Sequence, residues 1–359
     1  MKYSPDITKG EMVKRYVRHL LRDDIISYRS KIPSEHELMD KFQVSRQTVR
    51  QAFGALEAEG LIYKEQGKGT FSNYDKGAGQ NRIVAVVTTY LSGFVFPGIM
   101  SGIEQVLSDE GYMMLLSNTN NIKEREARYL RSVLEHNVVG IIIEPTASSQ
   151  ANSNLKLLRG IEEKGIKTVF INALYDDFES AYVLLNDLKG GLMATDYLLQ
   201  MRHRRIAGIF KTDDKQGIDR KAGFLKALSA AGIPEASEFI GEYNTAQMYD
   251  YPYMFAQSLL QKEGSPTAFF CYNDQCALMV IRAIHDRGLR VPEDISVVGY
   301  DDSASPMHSE AKLTTIRHPK KEMGIQAAKF MVGMLEGRMR MPQYMYEPEL
   351  IIRKSCRNL

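Results

Sequence analysis

From residue 83 onward, short apolar runs rich in β-branched residues alternate with longer amphipathic stretches, and this alternation leaves few folds open. RIVAVVT is followed by a helical pattern at 97–110. YMMLLS is followed by a charged helix at 123–136, and VVGIIIEP and KTVFIN by a helix at 187–201. RRIAGIF precedes helices at 215–231 and 247–262, TAFFCYND precedes one at 274–287, and DISVVGYDD extends the series. Strands this apolar must be covered on both faces, which calls for parallel sheets with helices on either side. Eight or so units exceed one sheet. The expectation is an α/β body at 83–359, built of two doubly wound subdomains with a cleft between them.

Residues 1–72 have a different texture. Val13, Tyr16, Val17, Leu20 and Leu21 share one face of a helix over roughly 8–22. PSEHEL starts a second helix, with Ser34 as cap and Glu37 at the capping-box position; Leu38 and Phe42 supply its buried side. A third helix begins at the cap Ser45 and ends near Gly60. LIYKE and TFSNY then flank the turn Gln66-Gly67-Lys68-Gly69. Helix, turn, helix and β-ribbon make a winged helix-turn-helix. The polar, glycine-bearing stretch 73–82 reads as a linker.

The third helix carries two faces. Val49, Ala52, Phe53 and Leu56 form one; Arg46 and Arg50, four apart, form another beside Gln47, Thr48 and Gln51. Arg reaches guanine O6 and N7 together, Gln pairs with adenine in the same way, and Thr48 suits a phosphate or a thymine methyl. A solvated polar face is the alternative for the helix taken alone. The turn after it is not a nucleotide loop, because Gly67-Lys68-Gly69-Thr70 lacks the GxxxxGK[ST] order and has β structure on both sides. A glycine-rich tip with one lysine suits a minor groove instead: Gly67 allows close approach, and Lys68 meets negative potential. An ordinary tight hairpin remains the alternative for the tip.

Charge agrees weakly with this. Residues 1–72 hold 13 Lys+Arg against 10 Asp+Glu, on a chain of formal net charge +2. There is no run of about 18 apolar residues and no secretory pattern at the N-terminus, and the three cysteines cannot all pair within one chain. A cytoplasmic setting is the expectation.

The body offers no catalytic or metal constellation. Its histidines lack HxxxH-type spacing, Cys271 and Cys276 straddle a strand–helix junction and read as packing residues, and neither GxSxG nor GxGxxG occurs. No cofactor is expected, nor an enzyme. What recurs is a polar or aromatic residue after each strand: TTYLSGFVF, Glu144, Asn172, Lys211, Asn273-Asp274 and Asp301-Asp302. Ligands of open α/β sheets bind at those ends. Amides, carboxylates and rings converging there suit a small sugar, whose vicinal hydroxyls accept and donate and whose ring face takes an aromatic cover. For any single residue, capping of the next helix is the alternative.

Two families are resembled. PSEHELMDKFQVSRQTVRQAFGALEAEGLIYKEQGKGTF resembles the winged-helix domain of GntR-family regulators over 5–72. That resemblance implies DNA contacts from Arg46, Gln47, Thr48, Arg50, Gly67 and Lys68, with His36 at a backbone phosphate. CYNDQCAL, VPEDISVVGYDDS and LTTIRHP resemble the effector domain of lactose-repressor-type regulators, itself similar to periplasmic sugar-binding proteins, over about 83–355. It implies a cleft lined by Phe94, Phe96, Glu144, Asn172, Arg220, Asn273, Asp301 and His318, with Arg220 on a ring hydroxyl. TTYLSGFVFPGI, SNTNN, GIIIEPT, GIFKTDD, IRHPK and EPELIIR further resemble arabinose-responsive repressors of Gram-positive bacteria. The expectation is a homodimer on palindromic operator DNA, released by a small sugar, with L-arabinose first. Composition of the cleft alone says only a small polyol, and a ligand-dependent activator, or a repressor answering another sugar, would use the same residues.

Overall fold

The computed structural model describes residues 8–22, 25–65, 67–74, 82–91, 95–234, 236–303 and 312–359. The chain divides into two units, 1–80 and 81–359. Most of the expected linker, residues 75–81, lies outside the described residues.

In the first unit, α1 (Lys9–Arg22), α2 (Glu35–Phe42) and α3 (Arg46–Ala58) precede a ribbon of β1 (Ile62–Glu65) and β2 (Gly69–Ser72). Val13, Val17, Leu38, Val49, Phe53 and Leu56 are fully buried, so each helix turns its apolar stripe to one small core. Ser34 and Glu37 form the reciprocal capping box, and Ser45 caps α3 by accepting from Thr48 N–H. The ribbon is antiparallel, with Glu65 opposite Gly69. Gly67 and Gly69 close its turn at φ 78° and 123°, conformations open to glycine at little cost.

The second unit holds two six-stranded sheets. The first subdomain runs β3 (Ile83–Thr88), α4 (Phe96–Asp109), β4 (Met113–Asn118), α5 (Lys123–Glu135), β5 (Val138–Ile143), α6 (Leu155–Glu163), β6 (Lys167–Ile171) and β7 (Ala181–Leu185). The second runs α7 (Asp187–Gln200), β8 (Ile206–Lys211), α8 (Lys215–Ala230), β9 (Ile240–Tyr243), α9 (Tyr251–Leu260), β10 (Ala268–Cys271), α10 (Asp274–His285), β11 (Ser296–Asp301) and β12 (Thr314–Arg317). The chain then returns to the first with α11 (Lys320–Leu335) and β13 (Gln343–Tyr346), and ends in the second with β14 (Glu349–Ile351). Strand orders are β13-β7-β6-β5-β3-β4 and β14-β12-β11-β10-β8-β9, parallel throughout except β14.

The period of two along β3 decides the layers. Val84 and Val86 face one core with Ile99 and Ile103 of α4 and Met331 of α11; Ala85 and Val87 face another with Leu130 of α5 and Leu158 of α6. In the second subdomain, Ala207 and Ile209 face α9 and α10. Thus both sheets are covered on both faces. The chain crosses between subdomains three times, at 185–187, 317–320 and 346–349.

Helices expected at 97–110, 123–136, 187–201, 215–231 and 274–287 form within one or two residues of those bounds. The one expected at 247–262 is shorter: a 3₁₀ turn at Thr245–Gln247 precedes α9. Asn244 caps that turn, and Pro252 fixes the start of α9.

Candidate functional site

The exposed surface of α3 holds the residues expected to read DNA. Arg46, Gln47 and Arg50 are exposed, and Thr48 is half-buried, with its hydroxyl 2.9 Å from the Ser45 hydroxyl. Arg46 Nε donates to Glu35 Oε2 at 2.8 Å. His36 is exposed at the start of α2, with Nδ1 3.0 Å from Asp40. At the ribbon tip Gly67 and Lys68 are exposed, and Lys68 pairs with Glu65 at 3.0 Å. The structure therefore puts all seven residues on the surface of the first unit. Their common chemistry is cation and amide donors on a rigid helix and a turn, which fits phosphate positioning and base-edge contact.

In the second unit a cavity of about 590 Å³ opens where the C-terminal ends of both sheets face each other. Phe96, Glu144, Asn172, Lys211, Arg220, Asn273, Asp301 and His318 all line it; Phe94 lies outside the described residues. Tyr90, within the TTYLSGFVF stretch expected after the first strand, lines it too, as do Asn121, Asp187, Asp214, Tyr243 and Tyr272, which were not anticipated. Asp214 and Tyr272 sit within three residues of Lys211 and Asn273, so the same strand-end signal reaches them. Asp187 follows β7, whose short AYVLL run carried no separate expectation.

The polar groups fall into three clusters. In the first, Arg220 is buried on α8, donates from Nε to Asp187 at 2.8 Å and from Nη1 to the Tyr272 carbonyl at 2.7 Å, and lies 3.6 Å from Asp301. Its guanidinium stacks 3.6 Å from the Tyr300 ring centroid. Burial pushes the Asp187 carboxyl up to about 6 even though the Arg220 charge pulls it down; the same burial raises Asp301. Arg220 itself is held charged by Asp187 and Asp301 against its burial.

In the second cluster, Lys211 is buried at the end of β8, 2.7 Å from Asp213, and donates to Asp214 at 2.9 Å. Burial opposes its charge, but the Asp214 and Asp213 carboxylates keep it protonated. Tyr272 Oη also donates to Asp214, at 2.7 Å.

The third cluster is a relay. Thr89 donates to Glu144 from its N–H at 3.0 Å and also from its hydroxyl. Asn172 Nδ2 donates to the other Glu144 oxygen at 2.9 Å, so its Oδ1 is left to accept from His318 Nε2 at 3.1 Å. Burial, then Lys320 and Arg220, hold the His318 ring well below its ordinary range and thus neutral. With the proton on Nε2, Nδ1 is an acceptor, and it has no partner among the described residues. Asn273 fills a double role: it lines the cavity, yet its Oδ1 caps α10 by accepting from Cys276 N–H at 2.9 Å. The capping alternative is therefore realised at this residue.

A cavity with fixed donors, fixed acceptors and the Phe96 and Tyr90 rings has the groups that suit a small neutral polyol. Among the described residues no group of His, Cys, Asp and Glu has metal-holding geometry, and no helix is long and apolar enough to cross a membrane.

Comparison with known proteins agrees with both halves. Residues 9–71 match the model of the bacterial regulatory proteins of the gntR family, and residues 195–356 that of the periplasmic binding protein-like domain. The chain is 45% identical over 335 residues to the arabinose metabolism transcriptional repressor of Geobacillus stearothermophilus, covering 92% of each. It is 40% identical to that of Halalkalibacterium halodurans, covering 97% of this chain and 96% of the relative. Among solved structures, the transcriptional regulator CelR in complex with cellobiose superposes with a TM-score of 0.67 at 26% identity, over 87% of this chain and 92% of that one.

Proposed function

The chain belongs to the family of arabinose metabolism transcriptional repressors, and from that premise we propose that it holds operator DNA through its winged helix and lets go when the cavity takes up L-arabinose. As a homodimer it places two α3 helices in the major grooves of a palindromic operator, with Arg46, Gln47, Thr48 and Arg50 at base edges and phosphates. The ribbon tip, Gly67 and Lys68, enters the minor groove, and His36 meets a backbone phosphate.

The observation that carries the effector half is the convergence of Lys211, Arg220, Asn172, Asp301 and Glu144 on one cavity at the sheet ends. Each of them is already held by a neighbour, so little side-chain freedom is lost when a sugar binds. Arg220 and Lys211 donate to ring hydroxyls, Asp301 and His318 Nδ1 accept from them, and Phe96 covers the apolar ring face. Binding favours the arrangement in which the two subdomains are closed about the three crossing segments. The operator-binding form is disfavoured by the difference in sugar affinity between the two states. The cell interior, where operator and sugar are both present, is the place of action.

The test is an operator titration against a panel of pentoses and hexoses. L-Arabinose should weaken operator binding more than the other sugars do. If no sugar changes operator affinity, the reading is wrong; if arabinose strengthens it, the sign of the coupling is reversed. Sugar at about 100 times its Kd should add roughly 2.7 kcal/mol to the stability of the second unit.

A further inference from the structure

The three crossing segments and the outer lip of the cavity lie at opposite edges of both sheets. In the first subdomain the crossings leave β7 and β13 at one edge, while Tyr90, Asn121 and the turn 147–149 follow β3, β4 and β5 toward the other. In the second, the crossings involve β12 and β14, while Thr212, Asp213, Lys215 and Thr245 follow β8 and β9 at the far edge. A bond at the far edge therefore acts at the long end of a lever.

Several such bonds exist. Ser149 Oγ donates to the Thr212 carbonyl at 2.7 Å. The N–H of Lys215, first residue of α8, donates to Ser148 Oγ at 2.8 Å. Asn121 Nδ2 donates to Thr245 Oγ1 at 2.8 Å, and the Tyr90 and Thr245 hydroxyls lie 3.3 Å apart. The turn that presents the two serines is held in an uncommon shape, with Ala147 at φ 43°, a left-handed conformation costly for a residue with a Cβ. Its N–H donates to Asn121 Oδ1 at 2.7 Å. One side chain, Asn121, thus braces the turn with its oxygen and reaches across the cleft with its nitrogen.

We infer that the 147–149 turn and Asn121 form a latch that closes the cleft at the edge remote from the crossings, so that a bound sugar leaves only after these bonds open. The gating half of this inference rests on the sugar reading given above; the latch itself does not. Because both lips are tied by protein groups alone, the latch sets how fast the cleft opens, while the inner clusters set which sugar is held.

The test uses the full chain. Without sugar, Ser148→Ala should speed hydrogen exchange of the Lys215 amide by about three- to tenfold, the loss of one hydrogen bond. The Gly217 amide, capped by Asp214 Oδ1 at 2.8 Å, should be unchanged and reports intact folding. Ser148→Thr, which keeps the hydroxyl, should restore protection. With sugar, the double variant Ser148→Ala, Ser149→Ala should release L-arabinose about tenfold faster, followed by stopped-flow tyrosine fluorescence. Unchanged Lys215 exchange overturns the latch. Faster exchange with an unchanged release rate overturns its gating role. If the unaltered chain binds no L-arabinose, the sugar reading falls and the exchange measurement alone decides the latch.

Discussion

Glu35 Oε2 accepts from Arg46 Nε at 2.8 Å, and its other oxygen lies 3.9 Å from Arg50 Nε, so one carboxylate on α2 orients both arginines of α3. Both arginines are mostly exposed, so the pairing adds at most about 1 kcal/mol to stability. Its use is to aim the guanidinium groups. Arg46→Ala should cost about 1–3 kcal/mol at one operator base pair. Glu35→Gln should cost less there and should strengthen binding to unrelated DNA, because an anion facing phosphate is gone. Fluorescence anisotropy with operator and scrambled duplexes separates the two. Unchanged operator binding by Arg46→Ala would mean that α3 is not the reading helix.

Lys68 sits on the ribbon tip, where it pairs with Glu65 at 3.0 Å. A single phosphate contact contributes about 0.9 to the slope of log K against log salt. Lys68→Ala should lower that slope by about this amount on operator and unrelated DNA alike. An unaltered slope would take the tip off the DNA.

Arg220 is flanked by Asp187 and Asp301 with almost no solvent to share their charge. Arg220→Met should destabilise the second unit by about 3–5 kcal/mol, since it leaves buried carboxylates unpaired. Burial already raises the Asp187 carboxyl to about 6, and losing the guanidinium raises it further. A raised acid binds more protons when folded, so the variant's deficit relative to the unaltered chain should grow as pH rises above about 6, where the unaltered Asp187 ionises and the variant's does not, and shrink on acidification. Adding Asp187→Asn should recover part of the loss. Urea denaturation at pH 5 and pH 8 reads both effects, and an equal deficit at the two pH values would contradict this account.

Much of this was legible in the sequence because two periodicities dominate it. The helical stripe of α1, the capping box at Ser34 and Glu37 and the apolar runs of β3, β5 and β11 each state one structure, and all form as read. The strand-end pattern placed Phe96, Glu144, Asn172, Lys211, Asn273 and Asp301 around one cavity, and the family resemblance added Arg220 and His318. What stayed hidden depends on contacts distant in sequence. Asp187 joins the site because α7 and α8 pack together, and Asn121 because a turn 26 residues on needs its oxygen. The strand β13 has a weak pattern, QYMY, and is identifiable only by its pairing with β7. The chain's return through α11 to the first subdomain follows from packing and leaves no local signature.

His318 should give a pH signature of its own. Burial, with Lys320 and Arg220 nearby, keeps its ring well below the ordinary 6.5. The folded state then binds fewer protons than the unfolded one, so the contribution is fully present above pH 6.5 and is lost as pH falls below it, at about 1.4 kcal/mol per pH unit. Asp187 and Asp274, raised by burial to about 6 and about 7, act in the opposite sense between about 4 and 7, so the total curve mixes the two. The difference between the unaltered chain and His318→Asn cancels the carboxylates. It should change by about 1 kcal/mol between pH 6.5 and 5.5 in favour of the variant. A flat difference would mean that His318 titrates as it does in water.

The helix crossings that hold each subdomain together make an equally specific prediction. A Cβ on Gly324 of α11 would stand 2.1 Å from the Ile99 carbonyl oxygen, and one on Gly102 of α4 2.3 Å from that of Lys321. In the second subdomain Gly191 and Gly223 meet backbone oxygens of α8 and α7 at 2.2 and 2.1 Å. Backbone cannot yield as a flexible side chain can, so Gly324→Ala must push α4 and α11 apart. Alanine gains about 1 kcal/mol of helix propensity there, but overpacking costs typically 1–3 kcal/mol, and more when backbone must move. The variant should therefore be destabilised in urea. Gly54 provides the control: it lies inside α3, is exposed, and has nothing within 4 Å of its added Cβ. Gly54→Ala should stabilise the first unit by up to about 1 kcal/mol. If both variants shift stability the same way, propensity and not close approach governs the crossing.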